Sequence, residues 1–366
     1  DWGGIAKTIY NSEDRSISSS AAVAKRFDDT SVLFQGGYRK GHERRNNGDN
    51  DSYGNTRTQS DPADFDQYNL LFKLRQELEG GHRIGLTAER FRRDLDTDLR
   101  ELQGPGRTYA IGDYDGRELR QRDRISLDYD YEAVSSDAFF TTARATLYWQ
   151  GLKKESGTDG STSTGTPYGR NNEIENDTWG FSGGVTKDFD AGNLSHSVRA
   201  SLETARSDWT QYSFALCPTP ASCPPLNNQS EVPDVDARTL GFSIEDQIDF
   251  GNNFTLTPGL RFDWFDYNPS TGGGFASNPG LPAFGDIKDR QESQFSPKLL
   301  ATYDITSDVQ VYAQWAMAFR APTIDELYSR FYNPFGNYAQ LGNPDLKPET
   351  GNGFEIGSNF DVGGLT

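Results

Sequence analysis

Chemistry-bearing side chains concentrate in one stretch, Phe319–Glu349, which reads FRAPTIDELYSRFYNPFGNYAQLGNPDLKPE. Arg320 presents a planar guanidinium able to grip a carboxylate or catecholate at two points. The competing use of Arg320 is internal, as a clamp on Asp325, Glu326 or Glu349. Pro322, Pro334, Pro344 and Pro348 fix φ and forbid a regular strand here. Five aromatics (Tyr328, Phe331, Tyr332, Phe335, Tyr338) fill the same space. A long loop so constrained reads as ordered and functional. Elsewhere, Cys217 and Cys223 stand close in LCPTPASCPP. That spacing in a Pro-rich loop predicts a disulfide in an oxidising compartment. A metal pair is the alternative, with no His or third Cys beside it. Asp49-Asn50-Asp51 and Asp113-Tyr114-Asp115-Gly116 are fragments of calcium-loop spacing, but the remaining ligand positions do not follow; no metal site is expected. No G-x-S-x-G, H-E-x-x-H or phosphate-cradling glycine loop occurs, so no enzyme chemistry is expected.

Composition narrows the class of chain that carries this stretch. Of 366 residues, 34% are hydrophobic and 13% aromatic, with 38 Gly and a single Met. Disordered chains are poor in aromatics, so this one folds. No apolar run reaches the length of a membrane-spanning helix. The net charge of −18 argues against a nucleic-acid partner, which requires basic patches.

The elements that must position the stretch show a hairpin rhythm. Tight turns centre on Asp28-Asp29, Glu79-Gly80-Gly81, Val134–Asp137, Asp190–Asn193, Gly251-Asn252-Asn253 and Thr306–Asp308. Long polar stretches alternate with them: Arg45–Asp64, Asp96–Gly116, Glu155–Ile174, Gln211–Asp234, Pro269–Glu292 and Arg320–Gly351. The segments between have period-2 alternation, the mark of strands with two different faces. Phe254, Leu256, Pro258, Leu260, Phe262 and Trp264 share one parity, and Thr255, Thr257, Arg261 and Asp263 the other. About twelve strands follow from near Arg15, with a thirteenth starting near Asn352. They run to about 12–16 residues, beyond the common globular length.

A soluble sandwich would bury the apolar face; a membrane barrel turns it to lipid and keeps charge inside. Charged polar faces, long strands, turn asymmetry and aromatics near the tight turns (Phe27, Phe34, Phe139, Phe140, Phe189, Phe250, Phe254) favour the barrel. The predicted fold is therefore all-β, an antiparallel transmembrane β-barrel with short periplasmic turns and long extracellular loops. Pro258 and Pro297, inside strands, predict bulges or bends. Arg90, Arg92, Arg93, Arg117, Arg120, Arg122 and Arg124 could line an anion path or form ion pairs with Asp94, Asp96, Asp123 and Asp128.

Phe319-Arg320-Ala321-Pro322, then Asp325-Glu326-Leu327-Tyr328, then Gly342-Asn343-Pro344-Asp345-Leu346-Lys347-Pro348-Glu349 resemble the FRAP…ELY…NPNLxPE box of TonB-dependent outer-membrane receptors, notably the haem and haemoglobin receptor branch. Lys7–Ser12, Gln59–Asp64, Tyr68–Leu74 and His82–Thr87 are similar to strands upstream of that box. The resemblance implies a location in the outer membrane of a Gram-negative bacterium. It implies that residues 1–366 are part of a 22-stranded barrel, whose plug, energy-coupling segment and remaining strands lie outside this chain. It implies active import powered by the TonB–ExbB–ExbD complex, with haem or a haem protein as cargo and no prosthetic group. That branch uses a His between the two halves of the box as an axial haem ligand, and none lies between Pro322 and Asn343. Tyr328, Tyr332 or Tyr338 could replace it as a phenolate or stack on the porphyrin; they could equally pack the loop. A ferric siderophore or other iron chelate is the alternative cargo, and a passive porin-like channel the third reading. His82 and His196, beside tight turns, are expected on the periplasmic side, and His42 on the extracellular side.

Overall fold

The computed structural model describes residues 1–216, 228–276, 278, 286–333 and 338–361. Fourteen strands form one antiparallel sheet in chain order. They are β1 (Trp2–Asn11), β2 (Ser16–Phe27), β3 (Thr30–His42), β4 (Ala63–Leu78), β5 (His82–Asp98), β6 (Tyr109–Glu132) and β7 (Thr142–Thr162), then β8 (Pro167–Ala191), β9 (Leu194–Leu216), β10 (Asp234–Asp249), β11 (Phe254–Ser270), β12 (Arg290–Thr306), β13 (Val309–Arg320) and β16 (Glu349–Phe360). Between β13 and β16, β14 (Arg330–Asn333) and β15 (Tyr338–Leu341) pair as a separate small hairpin. Among the described residues, three single-turn helices sit in connections: a 3-10 turn at Arg100–Leu102, α1 (Gly273–Ala276) and α2 (Ile324–Tyr328). The sheet is not closed: β1 and β16 are its edges.

Register sorts the side chains into two faces. Val23, Phe34 and Phe72 stand opposite one another across β2, β3 and β4. Ile125, Trp149 and Trp179 do so across β6, β7 and β8. Leu202, Phe242, Phe262 and Phe295 continue the apolar face across β9 to β12. This face is open rather than packed, with Leu260 43% and Phe295 58% exposed. The other parity pairs charges: Glu245 takes Lys298 and Arg199, and Arg261 takes Asp263. One acid interrupts the apolar face near a tight turn. Asp246 meets His196 Nδ1 at 2.8 Å, and that imidazole stacks on Phe189.

The tight turns fall where the sequence puts them, and glycine explains one of them fully. Gly80 and Gly81 have φ of 80° and 83°, the left-handed region that disfavours any Cβ. A Cβ on Gly81 would also lie 1.9 Å from the Glu132 carbonyl oxygen, so β4, β5 and β6 converge there only because no side chain intervenes.

Several expectations change. The chain begins in a strand at Trp2, so the sheet has one more strand than predicted. Half of the fourteen strands exceed the expected 12–16 residues; β8 has 25 and β6 has 24. The expected loop Glu155–Ile174 is mostly ladder, with β7 and β8 joined across Ser163–Thr166. Pro258 and Pro297 make no bulge. Register is the same on both sides of each, and the β10–β11 ladder merely skips two pairings, at Thr257 and Pro258, where the missing proline N–H removes a donor without adding a residue. The register shifts among the described residues lie instead between Asp304 and Thr306 and between Tyr109 and Tyr114.

Candidate ligand-contacting site

The Phe319–Glu349 segment folds as a clamp built on Arg320. Arg320 ends β13 directly opposite Glu349, the first residue of β16. Its Nε and Nη2 donate to the Glu349 carboxylate at 3.0 and 2.6 Å, and Nη1 and Nη2 donate to Glu326 at 3.1 and 3.0 Å. Two carboxylates thus occupy one guanidinium fork, and Asp325 is not among them. Phe319, Ala321 and Pro322 carry the chain from the strand end into this clamp.

Glu326 also starts α2. Its carboxylate accepts the Thr323 N–H at 2.8 Å, and the Thr323 hydroxyl accepts the Glu326 N–H at 3.3 Å, a reciprocal cap. The Arg320 hydrogen bond, with the Thr323 N–H behind it, draws the Glu326 carboxyl down from 4.5 to about 2. Its backbone carbonyl accepts the Asn343 N–H at 2.8 Å, which links the two halves of the box. Asn343 in turn holds a tight turn, its side chain accepting the Asp345 N–H at 2.9 Å. Pro344 sits inside that turn, Asp345 pairs with Lys288, and the Leu346 carbonyl accepts from Arg290 at 2.8 Å.

Under the clamp lies a small apolar core of Leu327 and Tyr328 against Val232, Val235 and Ala237, flanked by Trp209, Tyr267, Ile287, Ile324 and Leu346. Leu327 is fully buried, which is worth about 2 kcal/mol for a side chain of its size. Tyr328 is fully buried too, and its hydroxyl donates to the Lys288 carbonyl at 3.1 Å. Burial pushes its phenol well above the ordinary range. Tyr328 therefore has no free face for a ligand and no phenolate near neutrality.

Tyr332 and Tyr338 lie differently. They stand on β14 and β15, exposed, with Tyr338 beside Phe331 at 5.5 Å between ring centroids. Of the three tyrosines singled out in the sequence, these two present surface. Cys217 and Cys223, with Pro334 and Phe335, lie outside the described residues.

The arginines of β5 and β6 do not share a path, because alternation sends them to both faces. Arg90, Arg92 and Arg117 pair with Asp123, Asp94 and Asp96 on one. On the other, Arg120 and Arg122 pair with Glu118 and Glu89, Arg93 lies over Phe65 and Arg124 over Tyr148. Asp128 takes hydroxyls from Thr87, Ser126 and Thr146. His82 bonds Tyr129 next to its tight turn, while His42 meets Asp64 at the opposite end of the sheet.

Thr323 and Arg330 are given no role by the sequence reading, and Gly342 figures there only as a member of the matched box. Thr323 had a signal, the S/T-x-x-E capping spacing with Glu326. Gly342 is needed because a Cβ there would come within 2.6 Å of the Leu327 and Tyr328 backbone. Arg330 gives no warning: it is buried, and its Nη1 donates to the carbonyls of Ser329 and Gly342 at 3.0 and 2.7 Å.

Among curated proteins, the chain is 25% identical over 202 residues to a probable hemoglobin and hemoglobin-haptoglobin-binding protein of Haemophilus influenzae, covering 46% of this chain and 19% of that protein. The Serratia marcescens hemophore receptor HasR, solved with its hemophore HasA and heme, superposes with a TM-score of 0.70 at 16% identity, over 100% of this chain and 52% of that one. BauA, the ferric preacinetobactin receptor of Acinetobacter baumannii, gives 0.64 at 17% identity, over 99% of this chain and 53% of that one. The chain thus spans about a fifth of the curated relative and about half of each solved receptor. Residues 85–366 match the family described as TonB dependent receptor-like, beta-barrel, and with well over half its length matched the chain belongs to that family.

Proposed function

We propose that this chain forms part of the barrel of an outer-membrane importer that takes up haem, or haem from a carrier protein, using energy delivered through TonB–ExbB–ExbD. The observation that carries this reading is the box itself. Arg320, Glu326 and Glu349 lock the segment at the end of the sheet where the long connections gather, and β14–β15 leaves Tyr332 and Tyr338 exposed beside it. The likeness to a haemoglobin-binding protein and to a haem-bound hemophore receptor supports haem as cargo.

Arg320 does not serve as a ligand anchor in this reading, since four of its five N–H donors are directed to Glu326 and Glu349. Tyr332 and Tyr338 are the cargo contacts, by stacking or through a phenol oxygen. A ferric siderophore is the second reading, favoured by the lack of any His between Pro322 and Asn343 and by the likeness to a preacinetobactin receptor. A haem titration of the full-length receptor, following the Soret band, tests the choice. Tyr332→Ala and Tyr338→Ala should each weaken binding by about tenfold, the value of one aromatic contact. No Soret change in the unaltered receptor, with growth on siderophore iron alone, would transfer the assignment to the siderophore. Steady conductance across bilayers without energy input would instead mark a passive channel.

A further inference from the structure

Two rows of charge cap the apolar face of β8 to β11 at the long-connection end. Directly above the apolar residues, Trp179, Arg206, Arg238 and Asp266 stand opposite one another on successive strands. One step further out the row is Asp177, Asp208, Asp236 and Asn268. Below Arg238 comes Leu240, opposite Trp264. Like charges directly opposed across a sheet are destabilising. Yet Arg206 faces Arg238, and Asp208 faces both Asp177 and Asp236.

Internal relief is partial. Asp236 is shared by both guanidiniums, reaching Arg206 and, at 3.1 Å, Arg238; Asp208 lies 4.0 Å from Arg206. Both arginine side chains remain more than half exposed, at 59% and 51%. On β9 and β10 the order outward is therefore apolar, cationic, anionic; β8 places Trp179 and β11 places Asp266 level with the two arginines. A phospholipid or phosphorylated glycolipid has the matching order of acyl chain, phosphate and outer counter-cation. The indoles of Trp179 and Trp264 stand at the boundary, where such rings prefer to lie.

We propose that Arg206 and Arg238 form a docking site for the phosphate of a lipid headgroup, with the aspartate row facing that headgroup's outer cation. The proposal rests on the apolar face being the lipid-facing one and is independent of the cargo. It is tested on the full-length receptor in nanodiscs that mix a phosphate-bearing lipid with a phosphate-free glycolipid of equal chain length. Lipids retained after detergent extraction are counted by mass spectrometry. The unaltered receptor should retain the phosphate lipid selectively, and Arg206→Gln with Arg238→Gln should lower that retention about tenfold. Arg206→Lys with Arg238→Lys, which keeps the charge, should restore most of it. Equal retention by the Gln variant, no selectivity in the unaltered receptor, or displacement by inorganic phosphate as readily as by lipid would overturn the proposal. If the Gln variant fails to fold, retention by the single variants decides. Protease resistance in the discs reports separately whether the apolar face meets lipid at all.

Discussion

Glu326 joins three things that would otherwise be separate: the strand end through Arg320, the helix start through Thr323, and the second half of the box through Asn343. Its carboxylate is held down at about 2, below the ordinary 4.5, by the Arg320 hydrogen bond first and the Thr323 N–H second. A depressed carboxylate contributes stability that is fully present above 4.5 and is lost as pH falls through about 2. The segment should therefore loosen across that window. Glu326→Gln, which keeps the cap acceptor but removes the charge, should loosen it to the low-pH level wherever the carboxylate is ionised, and so flatten the dependence. Hydrogen exchange of the 323–329 amides is the measurement; unchanged protection in the variant would mean that the carboxylate is incidental. At this scale Arg320 shows why residue type alone is ambiguous. A guanidinium suited to a ligand carboxylate is equally suited to Glu349, and only the β13–β16 register puts that partner opposite it.

At the scale of elements, the tight turns act as fixed points. Gly81→Ala should strain a left-handed backbone and push against the Glu132 carbonyl, costing about 1–3 kcal/mol. Asn at Gly80, a residue that tolerates the same region, should cost far less. Urea unfolding of the two variants in bilayers compares them, and equal losses would refute the backbone explanation. These turns were legible because glycine and the surrounding alternation announce them. The upper halves of β7 and β8 were not. Gly157-Thr158-Asp159-Gly160-Ser161 has no apolar face, since a strand that rises clear of an apolar surround needs none. Its pairing with Pro167–Asn171 follows from its neighbours on both sides, information that a single segment does not carry. Of β1, only Lys7–Asn11 falls in a stretch that the sequence marks, by similarity alone, because Gly3, Gly4 and Lys7 break the alternation. In the box, Tyr328, Tyr332 and Tyr338 looked alike; packing on Val235 and Trp209 removes the first from the surface, and those residues are far away in sequence.

For the whole molecule, the decisive asymmetry is between the two faces of the fourteen-stranded sheet. Ile244 stands at the middle of the apolar run on β10, between Ala200 and Leu260, and is 42% exposed. Its neighbour Ser243 points to the other face, where its hydroxyl meets Ser201 at 2.7 Å. In water the two positions would tolerate arginine about equally well, since neither is packed. In a bilayer they should diverge. Ile244→Arg sets a charge against hydrocarbon and should cost about 2–4 kcal/mol near the midplane. Ser243→Arg places the same charge among Glu245, Arg199 and Glu203 in a wet interior and should cost about 1 kcal/mol, roughly the lost hydroxyl bond. Unfolding free energies of the two variants of the full-length receptor, measured in bilayers and again in a detergent with a thinner apolar layer, separate the cases. The gap should narrow in the detergent as arginine reaches water. A gap that is absent in bilayers, or reversed, would mean that the apolar face is covered by protein, and the lipid-facing assignment of every row from Val23 to Phe295 would fall with it.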